Sequence, residues 1–127
     1  MATRVMKIGI ISKADYIKRT LAIAKGEYKP RKNEPKVWFE STKSMSQVLS
    51  AENQELLRVI INNCPGSITE LEKMTKRKKS NLSRTLKTLE KYGIVELNKI
   101  KGKTMPKVKA TDFRVEFGLH YSSPVSQ

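Results

Sequence analysis

Residues 79–93 have the sequence KSNLSRTLKTLEKYG, in which leucines recur at helical spacing. Leu82, Leu86 and Leu89 fall within roughly 60° of one another on a helix that advances about 100° per residue. The opposite side of the helix carries four polar or basic side chains, Ser80, Arg84, Lys87 and Lys91. Asn81 and Ser83 lie on its flanks. Gly93 supplies the left-handed residue at which helices end. The spacing therefore predicts a helix over 79–92 with one face in a core and a cationic face in solvent.

Two shorter helices are predicted before this one. Ser50 is placed to cap a helix over 51–63, and Thr69 with Glu72 has the spacing of a capping box for a helix over about 70–75. Ile68 would be the hydrophobic staple of that box. A basic turn then leads into the 79–92 helix and consists of Lys76, Arg77 and Lys78.

A β-hairpin is predicted after it. Residues 94–100 and 104–109 have strand patterns, and the turn between them contains Gly102. Pro106 places the returning strand at a sheet edge, because proline has no N–H for the ladder. A winged helix-turn-helix has the same order of elements: a helix, a short helix, a turn, a longer helix and a hairpin.

The sequence predicts further elements on either side of this region. Before it we expect a strand over 5–11, a helix over 13–25, an extended linker over 27–35, a strand over 37–40 and a short helix over 41–49. After it we expect a last strand over 113–117. Ser12 would cap the first helix, and two prolines mark the linker. Trp38 and Phe39 would point to opposite faces of their strand.

The predicted fold is α+β, mainly α: a winged helix-turn-helix with a small antiparallel sheet and an N-terminal extension. The predicted domains are a strand–helix arm with a basic linker at 1–35, the winged helix-turn-helix domain at 36–119, and a flexible tail at 120–127.

Positive charge dominates the composition. Lysine and arginine total 26 against 12 acidic residues, a formal net charge of +14. Residues 73–109 contain 13 basic and two acidic residues, so they carry +11 of that charge. Because this segment also has helix and strand patterns, it predicts a folded basic surface for a polyanionic partner rather than a disordered tail.

The candidate nucleic-acid contacts form three groups. They are Lys79, Ser80, Asn81, Ser83, Arg84 and Lys87 on the recognition helix; Lys99, Lys101, Lys103 and Lys107 on the wing; and Lys76, Arg77 and Lys78 in the turn. Arg84 has the geometry to bond guanine and Asn81 to bond adenine, whereas the wing lysines suit phosphates or the minor groove. The alternatives are a solvated face on a core helix and lysines that protect a sheet edge from aggregation.

Several short motifs resemble one family. They are MKIGI (6–10), LAIAKGE (21–27), KVWFES (36–41), ELL (55–57), SITEL (67–71), NLSRTLKTL (81–89), YGIV (92–95) and RVEF (114–117). Together they resemble the MarR-like winged-helix DNA-binding proteins of bacteria and archaea. The resemblance implies transcriptional regulation, usually as a homodimer on double-stranded DNA. It also implies an alternative, because some relatives are antitoxins that bind a toxin protein and repress their own operon.

Other function classes find less support. An RNA-binding protein would use stacking aromatics, and the basic segment contains only Tyr92. An enzyme is not expected, because no catalytic constellation, cofactor loop or metal-ligand spacing is present, and Cys64 is expected to be a small buried hydrophobe. No apolar stretch is long enough for a membrane span, so a cytoplasmic protein without membrane contact is expected.

Overall fold

The structure is a computed structural model that describes residues 3–119, so the predicted tail at 120–127 lies outside the described residues. In chain order the elements are β1 (Val5–Ile10), α1 (Lys13–Ala24), β2 (Val37–Phe39), α2 (Thr42–Val48), α3 (Ala51–Asn63), α4 (Ile68–Thr75), α5 (Lys79–Lys91), β3 (Val95–Ile100), β4 (Lys103–Val108) and β5 (Asp112–Glu116). The predicted α+β class is confirmed.

These elements form two compact units. We call residues 46–111 with residues 3–4 the central unit, and residues 5–45 with residues 112–119 the sheet unit. The predicted boundary at residue 35 falls inside the sheet unit, because β2 pairs with β1 there. The division between the units instead falls within α2.

The sheet unit contains a three-stranded parallel sheet in the order β2-β1-β5. Ile8 lies at the centre of the register, opposite Val37 on one side and Val115 on the other. This parallel sheet is an addition to the predicted architecture, which contains only a small antiparallel sheet. Strand patterns locate β1 and β5, but they do not reveal that strands more than 100 residues apart are neighbours.

A buried arginine holds the linker of the sheet unit in place. The Nη2 atom of Arg19 lies 3.0 Å from Oε2 of Glu34, and its guanidinium stacks 4.9 Å from the ring centroid of Trp38. Trp38 itself covers Gly9, while Phe39 is 1% exposed, so the two aromatics do lie on opposite faces of β2. Residues 27–35 are irregular, as predicted, but they are not an extended linker, because this ion pair ties them to α1.

The central unit is built from α3, α4, α5 and the antiparallel hairpin β3–β4. Ser50 caps α3 as predicted, with its Oγ accepting from the N–H of Asn53 at 3.2 Å. Gly93 follows α5 with a φ of +75°, the left-handed conformation that the sequence predicts. Helix α5 packs on α4 and β3, while α3 and α4 pack on β4.

Two local predictions are wrong. Helix α4 begins at Ile68, because Ser67 rather than Thr69 is its cap: the Ser67 Oγ accepts from the N–H of Glu70 at 3.1 Å. Both Ser67 and Thr69 have a glutamate three residues on, so the capping-box spacing is satisfied twice. Cys64 is exposed rather than buried, because it takes up the left-handed position that ends α3.

Within residues 3–119, no helix combines the length and apolar character that a bilayer crossing requires.

Candidate nucleic-acid interface

Helix α5 separates its apolar and cationic sides completely. Leu82, Leu86 and Leu89 are each 0% exposed, which confirms the predicted core face. Burying a leucine side chain stabilises a fold by about 2 kcal/mol, so these three side chains fix the rotation of the helix about its axis. The opposite face is exposed at Ser80, Asn81, Arg84, Lys87 and Lys91, and Ser83 on the flank is half-buried.

The N-terminus of α5 is anchored from α4. The backbone N–H of Lys79 donates to Oε2 of Glu72 at 3.0 Å, and Nζ of the same lysine lies 3.4 Å from Oγ1 of Thr69. Glu72 therefore serves the following helix rather than its own. Lys78 is the N-cap residue of α5 and makes no side-chain capping hydrogen bond. The first turn of α5 is thus held in place while its N-cap side chain stays available.

Arg77 differs from the other basic residues of the turn, because its guanidinium faces inward. Its Nε donates to Oδ1 of Asn81 at 2.9 Å, its Nη2 to Oγ1 of Thr85 at 3.0 Å, and its Nη1 to Oδ1 of Asn53 at 3.3 Å. Asn53 belongs to α3, so this side chain joins α3 to one flank of α5. Lys76 and Lys78 are exposed, whereas Arg77 is half-buried.

The β3–β4 hairpin carries its basic residues mainly at its tip. Lys101 and Gly102 form the turn with φ angles of +50° and +78°, as in the primed turns that match strand twist. We call residues 99–103 the hairpin tip. Its three lysines, Lys99, Lys101 and Lys103, are all exposed. Lys107 is exposed too, but it lies four residues further along β4, about 13 Å away, and opposite Glu96.

The positive charge of residues 73–109 is not neutralised by ion pairs within the described part of the chain. The three ion pairs among residues 3–119 involve Lys7, Arg19 and Arg58. None of them includes a lysine or arginine from 73–109. Lys91 lies 5.9 Å from the ring centroid of Tyr92, a contact that leaves its charge in place. Apart from the half-buried Arg77, every lysine and arginine of residues 73–109 is exposed to solvent.

A shallow depression in the central unit joins the turn to the first part of α5. Its lining residues are Glu52, Arg77, Lys78, Ser80, Asn81 and Arg84. Five of these six come from the predicted turn and recognition helix, so the fold does bring those two groups together. Glu52 is the acidic member, contributed by the first turn of α3.

Sequence reasoning did not identify Asn53, Thr85 or Glu52 as part of this surface. Asn53 and Thr85 accept from Arg77 across the helices, and Glu52 lies 25 residues before its nearest basic neighbour in the depression. The contacts of Asn53 and Glu52 have no sequence spacing, because they depend on how α3 lies beside the turn and α5. Among residues 3–119, no group of three or more metal-ligating His, Cys, Asp or Glu side chains is present.

A comparison with known protein families finds a match to the same region of the chain. The HVO_A0114 family model matches residues 48–115, more than half of the 127 residues. The chain belongs to the HVO_A0114 family. The HVO_A0114 match runs from the end of α2 into β5 and includes every candidate contact of the turn, α5 and the hairpin. Neither a curated protein nor a solved structure matches the chain.

Proposed function

We propose that this member of the HVO_A0114 family is a sequence-specific double-stranded DNA-binding regulator of transcription. Helices α3 to α5 and the β3–β4 hairpin would form a winged helix-turn-helix, with α5 as the recognition helix. The observation that carries the proposal is the division of α5 into a leucine face with no exposure and an unpaired cationic face.

The dimensions of α5 suit the major groove. A helix with its side chains is about 10–12 Å across, and the groove of B-DNA is about 12 Å wide. The 13 residues of α5 span about 20 Å, enough to follow several base pairs. Ser80 and Ser83 are short, so the backbone of the first turn can approach the base edges closely.

The exposed side chains divide into two chemical roles. Arg84 lies centrally on the free face and has the forked donor geometry that matches guanine O6 and N7. Lys78, Lys87 and the hairpin tip are better suited to phosphates, because an ammonium group is a point charge without a fixed direction. The sequence motifs that resemble MarR-like proteins favour the same proposal, because that resemblance implies transcriptional regulation.

A homodimer would complete the DNA-binding protein. Helix α1 of the sheet unit exposes three large apolar side chains, Tyr16, Ile17 and Leu21, which are 44%, 49% and 52% exposed. Residues 17 and 21 are one turn apart, so they lie on one side of the helix. A second copy covering this stripe would form the homodimer, and dimeric helix-turn-helix proteins bind half-sites about 34 Å apart.

The function is tested by selecting duplexes from a random pool with the full chain and with Arg84→Ala. The wild-type chain is expected to enrich one motif. Arg84→Ala should bind that motif about 1–3 kcal/mol more weakly and lose preference at one base position. Arg58→Ala is the matched control, because Arg58 is an exposed arginine on α3 that pairs with Glu55. Enrichment of no motif by the wild-type chain, or equal losses in the two variants, would contradict the proposal.

A second candidate function is that of an antitoxin that binds a toxin protein and represses its own operon. The exposed apolar stripe of α1 supports it, because the same surface suits a heterologous partner. Co-expression with the product of the adjacent reading frame separates the two functions. A stable complex that Leu21→Lys disrupts favours the antitoxin, whereas a homodimer that Leu21→Lys disrupts, without a complex, favours the regulator alone.

A further inference from the structure

Asn81 occupies the first turn of α5, where a recognition helix meets base edges. An asparagine that reads adenine needs both halves of its amide, because Oδ1 accepts from N6 and Nδ2 donates to N7. In this structure one of the two lone pairs of Asn81 Oδ1 accepts from Nε of Arg77 at 2.9 Å, so the oxygen is held facing Arg77. The base that Asn81 selects therefore depends on its neighbour in the turn.

The orientation of this amide follows from chemistry. Arginine has five N–H donors and no acceptor, so the atom of Asn81 that faces its Nε is the oxygen. Rotating the amide would bring an NH₂ group against an N–H donor, which is unfavourable. With Oδ1 engaged, the Nδ2 donors point away from Arg77, and no described residue accepts from them.

Arg77 is itself held in place. Thr85 accepts from its Nη2 at 3.0 Å and Asn53 accepts from its Nη1 at 3.3 Å. Three acceptors on two helices thus fix one guanidinium, and a lysine cannot reproduce this fork with a single ammonium group. The half-buried position of Arg77 leaves phosphate binding to its exposed neighbours Lys76 and Lys78.

We propose that Arg77 is a positioning residue that turns Asn81 into a hydrogen-bond donor, so that this position of the DNA site is guanine rather than adenine. Guanine presents two acceptors in the major groove, N7 and O6, whereas adenine presents one acceptor and a donor. The inference rests on the proposed DNA-binding function and refines it, since the residue types alone predict adenine at Asn81.

The experiment compares base preference and salt dependence in four variants of the full chain. Asn81→Ala identifies the base position concerned, because preference should disappear there. Arg77→Lys keeps the charge but not the fork, and Arg77→Met removes both. Lys78→Met is the matched control, because it removes one exposed charge from the same turn. Thermal melting followed by circular dichroism confirms that each variant is folded.

In the wild-type chain we expect guanine to be preferred over adenine by about tenfold at the position that Asn81→Ala identifies. Both Arg77 variants should move that preference toward adenine, because the released amide offers its acceptor as well. Arg77→Met should leave the salt slope of binding unchanged, whereas Lys78→Met should reduce its magnitude by about 0.9 and leave base preference intact.

Three results would overturn the inference alone while DNA binding stands: adenine preference in the wild-type chain, unchanged preference in both Arg77 variants, or a salt slope that Arg77→Met lowers as much as Lys78→Met does. Unfolding of both Arg77 variants would also overturn it, because Arg77 would then serve only stability. A wild-type chain that selects no duplex would instead refute the proposed function, and the inference would fall with it.

Discussion

The double variant Lys101→Gln, Lys103→Gln removes the two basic residues that flank Gly102. We expect it to weaken DNA binding most strongly at low salt. Both side chains are exposed at the hairpin tip, and neither takes part in an ion pair among residues 3–119. Glutamine keeps a non-glycine residue at position 101, whose φ is +50°, so the turn itself should persist.

The size of the effect follows from counterion release. Each phosphate that a lysine neutralises contributes about 0.9 to the slope of log affinity against log salt, so the double variant should lower the magnitude of that slope by about 1.8. Between 50 and 200 mM salt, the ratio of wild-type to variant affinity should therefore shrink by about twelvefold.

The assay is fluorescence anisotropy with a labelled duplex of about 30 base pairs, long enough for two half-sites one helical turn apart. Lys13→Gln with Lys18→Gln is the matched control, because it removes the same charge from exposed positions on α1. Lys107→Gln tests position within the hairpin and should have less effect than either tip lysine. Equal slopes for the tip and α1 double variants would refute the assignment of the tip to phosphate contacts.

Three further predictions concern the elements that support α5. Leu86→Ala should destabilise the fold by about 2–5 kcal/mol in urea denaturation, because a 0% exposed side chain leaves a cavity, whereas Thr88→Ala on the exposed face should cost far less. Ser67→Ala should cost about 1 kcal/mol of unfolding free energy and Thr69→Ala much less, and a reversed order would contradict the observed cap. Gly93→Ala should cost about 1–2 kcal/mol, because its φ is +75°, and an unchanged melting temperature would argue against that conformation.

Local signals made the central unit predictable. The three leucines of α5, the cap at Ser50 and the stop at Gly93 each act within one or two helical turns, and all three predictions are confirmed. The β3–β4 hairpin was predictable for the same reason, because its turn and strands are contiguous. The exposed face of α5 followed directly from its buried face.

The remaining features depend on contacts between distant parts of the chain. The pairing of β1 with β5 and the fork of Arg77 on Asn53 join residues that no periodic pattern relates. The predicted cap of α4 is wrong for a different reason: Ser67 and Thr69 both satisfy the capping-box spacing, and Ser67 is the residue that caps the helix. The exposure of Cys64 follows from its left-handed backbone, which composition alone does not indicate for a cysteine.

An NMR titration would map the proposed DNA-binding surface residue by residue. A selected duplex would be titrated into the isotopically labelled full chain while backbone amide shifts are followed by NMR. We predict that the largest shifts occur at Ser80, Asn81, Arg84 and Lys87, with a second group at the hairpin tip. Shifts concentrated in α1 and β2, with the amides of α5 unmoved, would contradict the claim that α5 reads the duplex.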